Sequence, residues 1–150
     1  MPGLSPFLPS LRLTAFVCTN CGFWQRSSQV PTSCPICLDS RHVPPTGDWV
    51  FRPFEEARDR YPCHMEKLLE GLYRIWNEPV EGIGPNSYLS ISQSGNFLFE
   101  GATVFSDEVI SNIRDLGGIS YLSSSHPHSY GALWQIEELF EPEIIMHPED

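Results

Sequence analysis

Basic residues are scarce in this chain: nine Lys and Arg stand against nineteen Asp and Glu, for a formal net charge of −10. Binding a phosphate backbone requires a basic patch, so this balance argues against DNA or RNA as a partner. Long apolar runs are missing too, and no stretch approaches the ~20 residues of a membrane span. The opening residues, MPGLSPFLPSLRLTAFVC, have no charged n-region and are broken by Pro2, Pro6 and Pro9, so a secretory signal is not expected. What remains is a chain of 150 residues, 41% hydrophobic and 19% charged, which is the profile of a soluble globular protein. Its length suits one ordinary domain, or a small module joined to part of a larger one.

Cysteine is sparse as well, but four of the five stand together. Cys18, Cys21, Cys34 and Cys37 form two CxxC pairs, CTNC and CPIC, with twelve residues between them. Each tight turn brings two sulfurs to one side of a loop. Two such turns can close a tetrahedron around one metal ion at ~2.3 Å per sulfur. Gly22 relieves crowding where backbone amides turn towards a sulfur, and Pro35 stiffens the second turn. The pattern predicts a structural zinc; rubredoxin-like iron, two disulfides or four ordinary buried thiols are the alternatives. Zinc ribbons of nucleic-acid proteins usually carry Lys and Arg between their knuckles, whereas here only Arg26 does. A protein partner is the contact such a module would make. Cysteines kept as thiolates predict a reducing compartment, hence a cytoplasmic location. Cys63 stands outside the scheme and reads as an inert thiol on a helical face.

Along the chain, residues 1–12 read as a flexible extension and residues 13–50 as the zinc-ribbon-like module. Residues 51–82 read as a linker with a helix and a first strand. The helix is expected from Glu55 to Glu70, interrupted or kinked near Pro62, and LYRIW (72–76) alternates as a strand. SYLSIS (87–92) alternates again, QSGN supplies a tight turn, and FLFE (97–100) returns, which predicts a hairpin. Ser106 and the two carboxylates after it suit a helix N-terminus; Val109, Ile110, Ile113 and Leu116 form the apolar stripe, and Gly117–Gly118 ends it. A strand over 119–125, a helix over roughly 130–140 and a short strand, EIIMH, follow. This order is an α/β pattern in which helices cover a sheet.

His126 and His128 fall at the carboxyl end of the 119–125 strand. Alternate residues of an extended backbone point the same way, so both imidazoles can face one metal, and Pro127 stiffens the turn between them. Open α/β sheets also place ligand sites outside the carboxyl ends of their strands. The bland alternative is a surface loop with two solvated histidines.

Residues 83–147 resemble the N-terminal half of the metallo-β-lactamase-fold hydrolases through an ordered series: the hairpin NSYLSISQSGNFLFEG, the helix SDEVISNIRDLGG, and the strand and helix ISYLSSSHPHSYGALWQIEELF. The chain is similar in particular to a subgroup carrying an N-terminal zinc-ribbon-like segment, on CTNCGFW, CPICLDSRHVPPTGDW, IGPNSYL and SGNFLFEG. The resemblance spans residues 14–150 and rests on no single short motif. It implies an α/β fold, a partial (N-terminal half) metallo-β-lactamase-like αβ sandwich over 83–150 preceded by the ribbon. It also implies a zinc-dependent hydrolase of a small-molecule substrate, truncated before the half that carries the remaining ligands.

The same resemblance makes His126 and His128 two ligands of the first metal site. Tyr130 and Gly131 stand where the family's HxHxDH motif has Asp and the third His, so the second site lacks both local ligands. The missing Asp is the residue that holds the attacking water in the family. Tyr130 is a candidate for orienting substrate or water. Glu100 falls near an acidic position at the end of the family's second strand, or serves as a turn-capping carboxylate. His147 matches no ligand position and is expected on the surface. The other reading of the chain is a non-catalytic zinc-binding protein-interaction module.

Overall fold

A computed structural model of the protein describes residues 13–42 and 44–149. The extension expected over residues 1–12 lies outside the described residues. The chain begins with a three-stranded antiparallel sheet in which β1 (Thr14–Cys18) is central, between β2 (Trp24–Ser27) and β3 (Phe51–Pro53). Both cysteine pairs lie in the turns that leave these strands. Gly22, at φ 85, makes the sharp reversal between β1 and β2 that an L-residue resists. The helix α1 (Phe54–Arg60) follows β3 directly.

Residues 63–69 depart from expectation. The helix read as running to Glu70 ends at Arg60, and Cys63–Leu69 forms β4, antiparallel to β5 (Leu72–Asn77) across a turn with Gly71 at φ 74. Pro62 has no amide hydrogen to continue the helix. Beyond it the partly buried Cys63 and Met65 alternate with exposed His64 and Glu66, which is strand periodicity in a charged, short segment. The segment 51–82 thus carries two strands of the larger sheet as well as β3. Cys63 therefore sits on a strand at the margin of the core, where burial pushes its thiol up to about 11 and keeps it protonated.

The larger sheet has six strands in sequence order: β4, β5, β6 (Ser87–Ser90), β7 (Phe97–Phe99), β8 (Tyr121–Ser123) and β9 (Glu143–Ile144). The first four are antiparallel neighbours, while β7, β8 and β9 run parallel. Leu89, Leu98 and Leu122 are direct cross-strand partners, so one apolar row crosses three strands. Against it pack α2 (Asp107–Asp115), through Val109, Ile110 and Ile113, and α4 (Trp134–Phe140), through Ile136. Ser106 caps α2 as expected, its hydroxyl accepting from Val109 N. The single helix expected over 130–140 is two, a short α3 (Pro127–Tyr130) and α4.

The two sheets share a second core of Val17, Trp24, Ala57, Tyr61, Val104 and Ala132. Buried Trp24 donates its indole N–H to the Thr103 carbonyl at 2.7 Å, so the contact has a fixed register. Asn77 reinforces it from below, donating to the carbonyls of Tyr61 (3.1 Å) and Val104 (2.9 Å) and accepting from Val104 N at 3.1 Å. Among the described residues no helix is long and apolar enough to cross a membrane.

Candidate metal centres

Two clusters of potential metal ligands lie side by side. In the first, all four knuckle cysteines are buried, with Cys18 and Cys37 sulfurs 3.8 Å apart and those of Cys21 and Cys34 3.7 Å apart. A tetrahedron with metal–sulfur bonds of ~2.3 Å has edges of about 3.8 Å, so the spacing fits one enclosed ion. No disulfide joins any of the four, whose sulfurs stand free in the structure. Hydrogen bonds from Cys18 and Cys21 pull the Cys34 thiol down to about 2, while hydrogen bonding to Cys18 and Cys34, together with burial, drives Cys21 upward. Both shifts come from sulfurs packed against one another in a small buried volume, which suits a shared cation. The backbone supports the arrangement: Gly22 N donates to Cys18 O at 2.8 Å and Leu38 N to Cys34 O at 3.1 Å. The Asn20 amide donates to the Cys37 sulfur at 3.3 Å.

The β5–β6 connection presses on this cluster. A Cβ at Gly82 would stand 2.2 Å from the Cys21 carbonyl carbon and the Gly22 nitrogen, so only glycine allows the approach. Beside it, buried Glu81 accepts from the Arg52 guanidinium at 3.1 Å.

The second cluster gathers His126 and His128, as expected, and adds His42. His126 caps α3, and Pro127 occupies its first turn. The His126 and His128 rings stack at 4.2 Å between centroids and 2° between planes. Their closest nitrogens are 2.7 Å apart, and His128 Nδ1 stands 3.3 Å from His126 Nε2. The His42 ring meets His128 edge-on at 4.3 Å and 85°, and lies 5.9 Å from His126. One ligand nitrogen from each of the three falls within 4.8 Å of the others. Burial, and then the neighbouring His126 and His42 imidazoles, hold His128 below its usual range, which keeps lone pairs available for a cation. The three line a cavity of about 410 Å³ with Asn20, Cys21, Cys37, Arg41 and Ile83.

Glu100 takes the turn-capping role. It sits at φ 68 just past β7, a left-handed conformation unusual for glutamate. Its carboxylate accepts from Ser124 Oγ (2.9 Å), Ser125 N (2.7 Å) and the Ser125 hydroxyl. Burial alone would raise its pKa, but the hydrogen bonds from Ser125, Ser129 and Ser124 together outweigh that and lower it. Glu100 thus fastens the loop that delivers His126.

Tyr130 lines a different pocket, with Trp24, Gln25, Arg26, Gly131 and Trp134. Gly131 packs on the ribbon: a Cβ there would lie 2.5 Å from Trp24 N and 2.6 Å from Trp24 O. His147 is exposed, its Nδ1 accepting from Glu149 N at 3.2 Å. His42 escaped sequence reasoning because its partners are far along the chain, and nothing in CPICLDSRHVPPTGDW marks it as a ligand.

Comparison with known proteins gives two similarities. Over 140 residues the chain is 32% identical to the uncharacterized protein YmaE of Bacillus subtilis (strain 168), a match covering 90% of this chain and 50% of YmaE. The chain therefore spans about half the length of that curated relative. Among solved structures, a B3 metallo-β-lactamase with an active site glutamic acid aligns over 63% of this chain and 37% of its own, with 21% identity and a TM-score of 0.44. No family model matches.

Proposed function

We propose that this chain corresponds to the N-terminal part of a metal-dependent hydrolase of the metallo-β-lactamase kind, with a structural zinc at Cys18, Cys21, Cys34 and Cys37. The observation that carries the reading is the placement of His126 and His128 at the carboxyl end of the parallel strand β8, their imidazoles together on a cavity of about 410 Å³. The resemblance of residues 83–147 to these hydrolases points the same way.

A zinc ion held by these histidines would supply a Lewis acid and a water of lowered pKa, the chemistry of hydrolysis at neutral pH. His126 and His128 act as ligands rather than as acid or base. Glu100 positions them by holding the Ser124–Ser125 loop. Arg41 lines the same cavity and presents a cation to an anionic small-molecule substrate, while Asp39 orients its guanidinium through bonds of 2.9 Å and 2.7 Å. Gly131 leaves no space for a side chain, so a one-metal centre is the form this site supports. Four reduced cysteines suit a cytoplasmic setting.

The test is turnover of ester, thioester, lactam and phosphodiester substrates by purified protein, before and after chelation and zinc repletion. Hydrolysis that disappears with the metal and returns with it supports the reading. A chain that keeps its cysteine-bound metal and turns over none of these is instead a non-catalytic zinc-binding protein-interaction module.

A further inference from the structure

We infer that His42, His126 and His128 form one three-imidazole centre for a divalent transition ion of the zinc class, in which the ribbon donates the third ligand and the cysteine cluster holds that ligand in place. This rests on the proposal that His126 and His128 bind a metal, and adds both the missing ligand and what controls it.

The geometry is that of a catalytic rather than a closed site. Three imidazoles gather from two parts of the chain, with ligand atoms within 4.8 Å of one another, and a cavity of about 410 Å³ opens beside them. Zinc sites that perform chemistry keep three protein ligands and one open position. With metal–nitrogen bonds of 2.0–2.1 Å, a tetrahedral site has edges of about 3.3 Å. His128 Nδ1 and His126 Nε2 are 3.3 Å apart, so rotating the two rings out of their parallel stack is the adjustment that turns both lone pairs to one ion. The His42 ring stands 4.3 Å from His128 at 85° between planes, so its in-plane nitrogens point in directions that the stacked pair does not cover.

The dependence on the cysteines follows from how His42 is held. From Cys34 onward the chain is a succession of turns: Leu38 N donates to Cys34 O at 3.1 Å, Asp39 N to Ile36 O at 3.2 Å, and His42 N to Asp39 O at 2.9 Å. Leu38 is 61% exposed, and the apolar side chain that does pack here, Ile36, packs on the cysteine cluster itself. The position of His42 is therefore inherited from the closure of the CPIC turn on Cys18 and Cys21. Coupling of this kind is reciprocal: a filled cysteine cluster strengthens metal binding at the histidines, and the converse holds equally.

The experiment uses the whole chain with its cysteine cluster filled by zinc, titrated with cobalt(II) and followed by d–d absorption. Wild type, H42A, H126A and H64A are compared, the last being an exposed histidine on β4. Circular dichroism and retained zinc content establish that each variant is folded. We expect one cobalt per chain in wild type and H64A, and affinity weakened by at least about 100-fold in H42A, beyond the 10–100-fold cost of losing an outer-shell partner. A wild type that takes no cobalt, or an H42A that binds as wild type does, overturns the inference. Binding kept in H42A but lost in H126A discards the role of His42 and leaves the hydrolase reading intact. Cobalt binding lost in H42A, in a wild type that hydrolyses nothing, discards the hydrolase and leaves the centre intact.

Discussion

The cysteine centre and the histidine centre differ in how they are assembled. The four cysteines come from two turns at most 19 residues apart, with the β5–β6 connection pressed against them. The histidines come from the far end of a knuckle loop and from a strand end in the other sheet, and they meet because the two sheets dock on a shared core that includes Trp24, Val104 and Ala132. One centre shapes the fold locally, and the other is a product of it. Metal at the first should therefore be a stability term, and metal at the second a functional one.

The strongest way to break this contrast is to remove the cysteine site. Cys34→Ser together with Cys37→Ser should unfold residues 13–53, because a structural zinc contributes on the order of 10 kcal/mol in small knuckles. Limited proteolysis reads this as rapid cleavage within the ribbon, whereas the pair H126A and H128A should leave the digestion pattern unchanged. Equal protease resistance in the cysteine variant would erase the distinction.

A smaller effect separates docking from metal binding. Gly131→Ala places a methyl 2.5 Å from the Trp24 nitrogen and should destabilise by about 2–3 kcal/mol, with both cysteine pairs untouched. Urea melts measure it. A loss below about 0.5 kcal/mol would mean that the ribbon shifts freely on the sheet.

Glu100→Gln sharpens the comparison on the histidine side. The substitution weakens the hold on Ser124 and Ser125, for a cost of about 1 kcal/mol at pH 7 given partial exposure. The folded carboxyl lies below its unfolded value, so this contribution is present above the unfolded pKa and lost as pH falls through the folded one. The gap between wild type and E100Q should therefore close below about pH 4 when both are melted at each pH. A gap that persists there would show that the carboxylate charge is not what holds the loop. H42A should produce the smallest change in stability, within about 0.5 kcal/mol, since His42 is only partly buried and its ring contacts are with other imidazoles.

Legibility in the sequence followed the same divide. The CxxC pairs, the hairpin of β6 and β7, and the Ser106 cap were readable because each is specified by neighbours within a few residues. The strand β4 was not: its inward residues are only Cys63 and Met65, and the charged residues between them imitate a helical surface. His126 and His128 could be proposed from strand alternation. His42 could not, since its role depends on a docking surface that neither knuckle nor strand encodes alone. Glu100 was visible as a carboxylate at a strand end, but its left-handed backbone and the serines it grips are consequences of tertiary folding.

Gly131 has a further consequence for descent. The space that a side chain there would fill is taken by the Trp24 backbone, so seating the ribbon in this register and carrying a side chain at 131 are mutually exclusive. A descendant that keeps the ribbon in this seat must keep glycine at 131, so this one position ties the small sheet to the large one. Any side chain at 131 would require a ribbon that has first found another seat.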